Sequence, residues 1–87
     1  MQFVIYAKDK PNAAELRQAT REAHIAYVRG SGKMLFGKPL LNDEGGMIGS
    51  LVRIEAANRA EADEFVANDP YSKAGLFETL ELTAIAE

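Results

Sequence analysis

The chain contains no cysteine, no tryptophan and one histidine, His24. Without thiols there is no disulfide framework, no thiolate zinc site and no thiol nucleophile. One histidine among scattered carboxylates also lacks the spacing of a metal-ligand set. No glycine fingerprint points to haem, flavin or nicotinamide, so neither metal nor cofactor is expected. Positive charge is in short supply: 10 Lys+Arg against 13 Asp+Glu give a net charge of −3. That balance argues against nucleic acid, whose non-specific affinity comes mainly from basic side chains. No stretch approaches the ~20 consecutive apolar residues of a membrane-crossing helix. The opening Met1–Tyr6 has no basic n-region and runs into a charged stretch, so a signal peptide is not expected and the cytoplasm is the expected location.

The composition that remains, 47% hydrophobic and 26% charged, is that of an ordinary globular domain. At 87 residues, one domain spanning 1–87 is expected. A chain this short buries only about 60–65% of its extended surface, and packing against a second copy is a natural remedy.

Residues 2–8 are β-branched and aromatic with both faces apolar, which predicts a strand covered on two sides. Asp9-Lys10-Pro11-Asn12 reads as a turn, with Asn12 as candidate N-cap and Glu15 completing a capping box. The spacing predicts a helix over 13–29, with Leu16, Thr20, Ala23 and Tyr27 as the inward stripe and His24 on its flank. Residues 33–41 read as a second strand. Gly37-Lys38-Pro39 interrupts it, which predicts an edge or a bulge because proline gives no ladder hydrogen bond. Asn42 to Gly46 is a hairpin loop. Residues 47–55 form a third strand with Ile48, Ser50, Val52 and Ile54 on one face. Asn58 and Glu61 mark a second helix to about Ala67, ended at Asn68-Asp69-Pro70, with one more turn expected over 72–75. Residues 77–85 are the last strand.

The order βαββαβ is the ferredoxin-like α+β fold: a four-stranded antiparallel sheet with two helices on one face. The uncovered face carries Val4, Tyr6, Met47, Leu51 and, in this reading, Met34. An apolar face of that size predicts a homodimer packed sheet to sheet.

Three stretches bear polar side chains suited to one pocket: His24, Ser50 on the helix-facing side of a central strand, and Asp69. Histidine is the side chain whose ordinary pKa suits proton transfer near neutral pH, and a carboxylate bonded to it fixes the tautomer. Structural readings stand beside this one: a histidine at a helix edge, Asp-Pro as plain turn chemistry, Ser50 bonded to a neighbouring carbonyl. Lys38 in the kinked strand suits an anionic group, though loop lysines are mostly solvated. Gly30-Ser31-Gly32-Lys33 follows a helix and enters a strand, the reverse of a phosphate loop.

Val4-Ile5-Tyr6-Ala7, Arg21-Glu22-Ala23-His24-Ile25, Gly49-Ser50 and Asp69-Pro70-Tyr71-Ser72-Lys73-Ala74-Gly75-Leu76 together resemble the YciI-like (YCII-related) family over nearly the whole chain. The resemblance implies a dimeric α/β barrel of ferredoxin-like protomers and a His–Asp active site, carried here by His24 and Asp69 with Ser50 nearby. One branch of that family looks like dehydrochlorinases of chlorinated hydroxyquinols. Lys38 departs from the family's pattern, which has a Gly-Pro pair there, so the family substrate does not carry over. The leading expectation is a cofactor-independent acid/base enzyme, a lyase or dehydrochlorinase-like elimination on a small molecule. In it His24 is the acid/base and Asp69 its orienting carboxylate, with Ser50 and Lys38 as anchors and Tyr6 and Tyr71 as walls. The alternatives are a metabolite-binding or regulatory module and, ranked last, a monooxygenase of the related dimeric barrels.

Overall fold

Four strands and two main helices account for nearly all of the chain in the computed structural model, which describes residues 1–87. The elements are β1 (Gln2–Asp9), α1 (Ala14–Ser31), β2 (Met34–Leu41), β3 (Met47–Glu55), α2 (Arg59–Asn68), the short α3 (Pro70–Lys73) and β4 (Phe77–Ile85). The strands form one antiparallel sheet in the order β2-β3-β1-β4. The fold is ferredoxin-like α+β. No helix is long and apolar enough to cross a membrane.

Alternation along β1 and β3 builds the core. Phe3, Ile5, Val52 and Ile54 point to the helix side and meet Val28 of α1 with Ala62 and Phe65 of α2. Tyr27 locks the two helices together: its ring stacks on Phe65 at 5.2 Å, and its hydroxyl donates to the Phe65 carbonyl at 2.8 Å. Gly49 sits where β1 and β3 approach each other, and a Cβ there would run into the Ala7 carbonyl.

The α1 face differs from the sequence expectation by one position. Leu16 is 38% exposed and Ala23 lies outside, while Arg17 and Val28 are buried and Thr20, His24 and Tyr27 are half-buried. His24 therefore belongs to the inward stripe itself. On that face Arg17 reaches under the helix to Asp9, at the inward end of β1, and bonds both of its carboxylate oxygens. The N-cap differs too. Asn12 takes a left-handed backbone conformation (φ 58°) to finish the turn after Pro11, leaving Ala13 at the cap with no side-chain bond. The capping box of the second helix forms as expected, with Asn58 accepting from the Glu61 N–H at 2.9 Å.

β2 is an edge strand, as Pro39 requires, with register shifts near both ends. Those shifts re-aim two methionines. Met34 and Met47, expected on the open face, line the cavity described below.

Candidate active site

A cavity of about 300 Å³ opens between α1 and the β2–β3 end of the sheet. That is the lower end of the usual range for small-molecule sites, about 300–1,000 Å³. Of the six site residues expected from sequence, His24, Ser50 and Tyr71 line it, while Lys38 borders it from β2 with its side chain across from Leu51 on the opposite face of the sheet. Asp69 stands behind His24. Tyr6 does not join them. It is 41% exposed on the opposite face of the sheet, where strand alternation puts it with Val4.

Asp69 is fixed before it meets the histidine. It ends α2 and caps α3, its Oδ1 accepting from the Tyr71 N–H at 2.9 Å, with Pro70 at the first helical position. From there its carboxylate accepts from His24 Nδ1, at 2.8 Å to Oδ1 and 3.0 Å to Oδ2. A carboxylate only accepts, so Nδ1 carries the proton and Nε2 is the nitrogen left for the cavity. Both side chains are nearly enclosed, at 15% and 12% exposure.

Tyr71 is the other face of the histidine's slot. Its ring stacks on the imidazole with centroids 4.0 Å apart and planes 16° apart, and Phe77 meets it edge-on at 5.9 Å. Burial pushes the Tyr71 phenol up against the opposing pull of the Arg17 and Arg21 guanidiniums, so it stays protonated at neutral pH.

Arg17 is the residue that sequence reasoning missed. It is buried, grips Asp9 through Nε at 2.6 Å and Nη2 at 3.0 Å, and donates from Nη2 to Ser50 Oγ at 2.8 Å. Its guanidinium carbon lies 4.7 Å from the centre of the Tyr71 ring, and Nη1 reaches the hydroxyl at 3.5 Å. Ser50 thus bonds a cation and not a neighbouring carbonyl. One signal was available: Arg17 precedes His24 by seven residues, two helical turns, and so shares its face.

Comparison with known proteins follows the same outline. The YCII-related domain model matches residues 1–86. Protein YciI of Escherichia coli is 36% identical over 87 residues, covering 90% of this chain and 89% of that one. The structure of 5-chloro-2-hydroxyhydroquinone dehydrochlorinase (TftG) from Burkholderia phenoliruptrix, in complex with 2,5-dihydroxybenzoquinone, superimposes with a TM-score of 0.90. It is 36% identical and covers 99% of this chain and 94% of that one. An antibiotic biosynthesis monooxygenase superimposes at 0.60 with 13% identity, covering 99% of this chain and 98% of its own, a likeness of fold alone. With the family model spanning all but the last residue and these relatives matched nearly end to end, the chain belongs to the YCII-related domain family.

Proposed function

We propose that this protein is a small-molecule enzyme that works by proton transfer, with His24 as general acid/base and Asp69 as the carboxylate that orients it. The observation that carries the reading is the bond from His24 Nδ1 to Asp69 at 2.8 Å, made beside a cavity that His24 also lines. Held this way, the imidazole offers Nε2 to a substrate hydroxyl, and Asp69 stabilises the imidazolium that forms when a proton is taken. Positioned acid/base catalysis of this kind contributes about 10²–10⁴-fold. Ser50 is a proposed anchor and Tyr71 a wall. Proton transfer between an imidazole and a substrate hydroxyl calls on no cofactor.

The reaction class the relative supports is elimination. TftG is named for dehydrochlorination, a net loss of HCl in which a proton is abstracted and chloride departs with the C–Cl bonding pair. The quinone in its complex, a dihydroxybenzoquinone, is a vinylogous acid and so an anion at neutral pH. A substrate of the same kind, a small ring bearing an ionisable hydroxyl, suits an imidazole set against a stacked phenol.

The test measures chloride release from 5-chloro-2-hydroxyhydroquinone, and solvent deuterium uptake into other small phenols and enols. Two variants accompany the natural protein: His24→Gln, and Asp69→Asn, which retains an acceptor for the Tyr71 N–H. Turnover is expected to fall about 10²–10⁴-fold in His24→Gln, with stability held within about 1 kcal/mol. Undiminished turnover in that variant would remove His24 from the chemistry. Ligands that bind and return unmodified would make the protein a metabolite-binding module, and oxygen consumption would make it a monooxygenase.

We also propose a homodimer, a dimeric α/β barrel closed by the open sheet faces of two protomers. Tyr6 is 41% exposed there, beside the half-buried Val4 and Leu51, an apolar surface in a small chain with little core.

A further inference from the structure

The cavity beside His24 is lined by 14 residues, and not one of them is an aspartate or a glutamate. The whole chain carries 13 acidic side chains against 10 Lys+Arg. Yet Arg17, Arg21 and Arg29 of α1 all line this one space. A net-negative protein has gathered three of its cations at one cavity and kept its carboxylates out of the walls.

The three cations are not equivalent. Arg17 is buried and neutralised by Asp9 beneath the floor. Arg21 and Arg29 are exposed and take part in no salt bridge, unlike Lys33 and Arg59, which pair with Glu61 and Asp63. Arg21 and Arg29 stand on one ridge of α1, eight residues apart with Ile25 between them, because every fourth residue shares a helix face. Lys38 does not join them: it stands opposite Leu51 in the β2–β3 register, on the sheet face that carries Tyr6. Two cations beside one opening repel each other, and a bound anion relieves that repulsion. Arginine presents a planar fork that matches the two oxygens of a carboxylate. The volume suits a single ring: a cavity of about half this size already holds benzene.

We propose that the cavity binds a single-ring carboxylate, with Arg21 and Arg29 as the anion-binding group and the rest of the ring directed toward His24. The inference rests on the reading of this cavity as the substrate site and adds the class of substrate.

Isothermal titration calorimetry with two probes tests this: 2,5-dihydroxybenzoate and hydroquinone, which share a pair of para ring hydroxyls and differ by one carboxylate. The carboxylate is expected to bind at least tenfold more tightly at low ionic strength. The ratio should shrink as salt is raised, because these cations stand at an exposed mouth. It should fall toward one in the double variant Arg21→Gln/Arg29→Gln, with circular dichroism reporting an intact fold. Equal affinity for the two probes in the natural protein, absence of binding by both, or a ratio unchanged in the double variant would each overturn the inference. The two readings fail separately. Turnover of neutral rings that depends on His24, without a preference for the carboxylate, removes the anion site and leaves the acid/base reading. A carboxylate preference with turnover unchanged in His24→Gln does the reverse.

Discussion

The imidazole of His24 lies flat on the phenol ring of Tyr71, with 4.0 Å between centroids and 16° between planes, while Asp69 holds both: the imidazole through its Nδ1 and the tyrosine through its backbone N–H. One carboxylate thus sets the position of two stacked rings. The stack leaves the histidine little freedom to turn away from the cavity.

The ring of Tyr71, more than its hydroxyl, is what the site needs. Tyr71 is 1% exposed, and its hydroxyl has one long contact, 3.5 Å from Arg17 Nη1. Tyr71→Phe is expected to cost no more than about 1 kcal/mol. Tyr71→Ala empties a buried aromatic volume and is expected to cost about 3–5 kcal/mol. Urea midpoints of the two variants check this, and equal losses would mean that the hydroxyl carries the stability.

Arg17 and Asp9 form a pair whose members depend on each other. Their side chains are 6% and 5% exposed. Arg17→Met strands a buried carboxylate, also takes away the donor to Ser50, and is expected to cost about 3–5 kcal/mol. The double variant Arg17→Met/Asp9→Leu removes both charges and is expected to recover much of that loss. Chemical denaturation of the single and double variants forms the cycle that measures the coupling.

Stability is expected to fall at alkaline pH, with the phenols as one source. Burial raises the pKa of Tyr71 and of Tyr27 above the ordinary 10.0. The folded state therefore holds these protons more tightly than the unfolded chain does. Their contribution is fully present below pH 10 and is lost as pH climbs through the raised values. Urea midpoints between pH 8 and 11 should decline over the upper part of that range, and less steeply in Tyr71→Phe. Identical slopes would show that Tyr71 does not titrate with unfolding.

The sheet-to-sheet dimer makes its own prediction. Sedimentation equilibrium at micromolar concentration is expected to give twice the chain mass. Tyr6→Glu, which puts a charge into the centre of the proposed interface, is expected to give monomer with the protomer fold retained. A monomeric natural protein would remove the dimer.

Much of the fold is legible along the chain because its signals are local. Period-two alternation in residues 47–55 places Ser50 on the helix side, and it is found there. Asn58 with Glu61 starts α2, and Asp69-Pro70 stops it. Pro39 marks an edge strand or a bulge, and β2 is found at the edge. The face of α1 is less legible, because its buried positions include a charged residue: Leu16 and Ala23 suggest one stripe, but Arg17, paired with Asp9, and Val28 are the residues buried.

His24, Asp69 and Ser50 could be named from their chemistry and placement, since each sits at a local landmark: a helix face, a helix stop, a strand alternation; Tyr71 joined them with the family resemblance. Their meeting belongs to the tertiary structure. The bond from His24 to Asp69 spans 45 residues and that from Arg17 to Ser50 spans 33, and no local periodicity encodes a distance across that much chain. The same limit explains Arg17, which looks like a surface cation in its own helix and becomes buried only when Asp9 and Tyr71 arrive. Tyr6 is the opposite case: its type suits a pocket wall, but the period-two alternation of β1 already sets it with Val4 on the uncovered face of the sheet. Residue type and local period decided which side chains could serve, and the packing of α1 and α3 on the sheet decided which of them share one cavity.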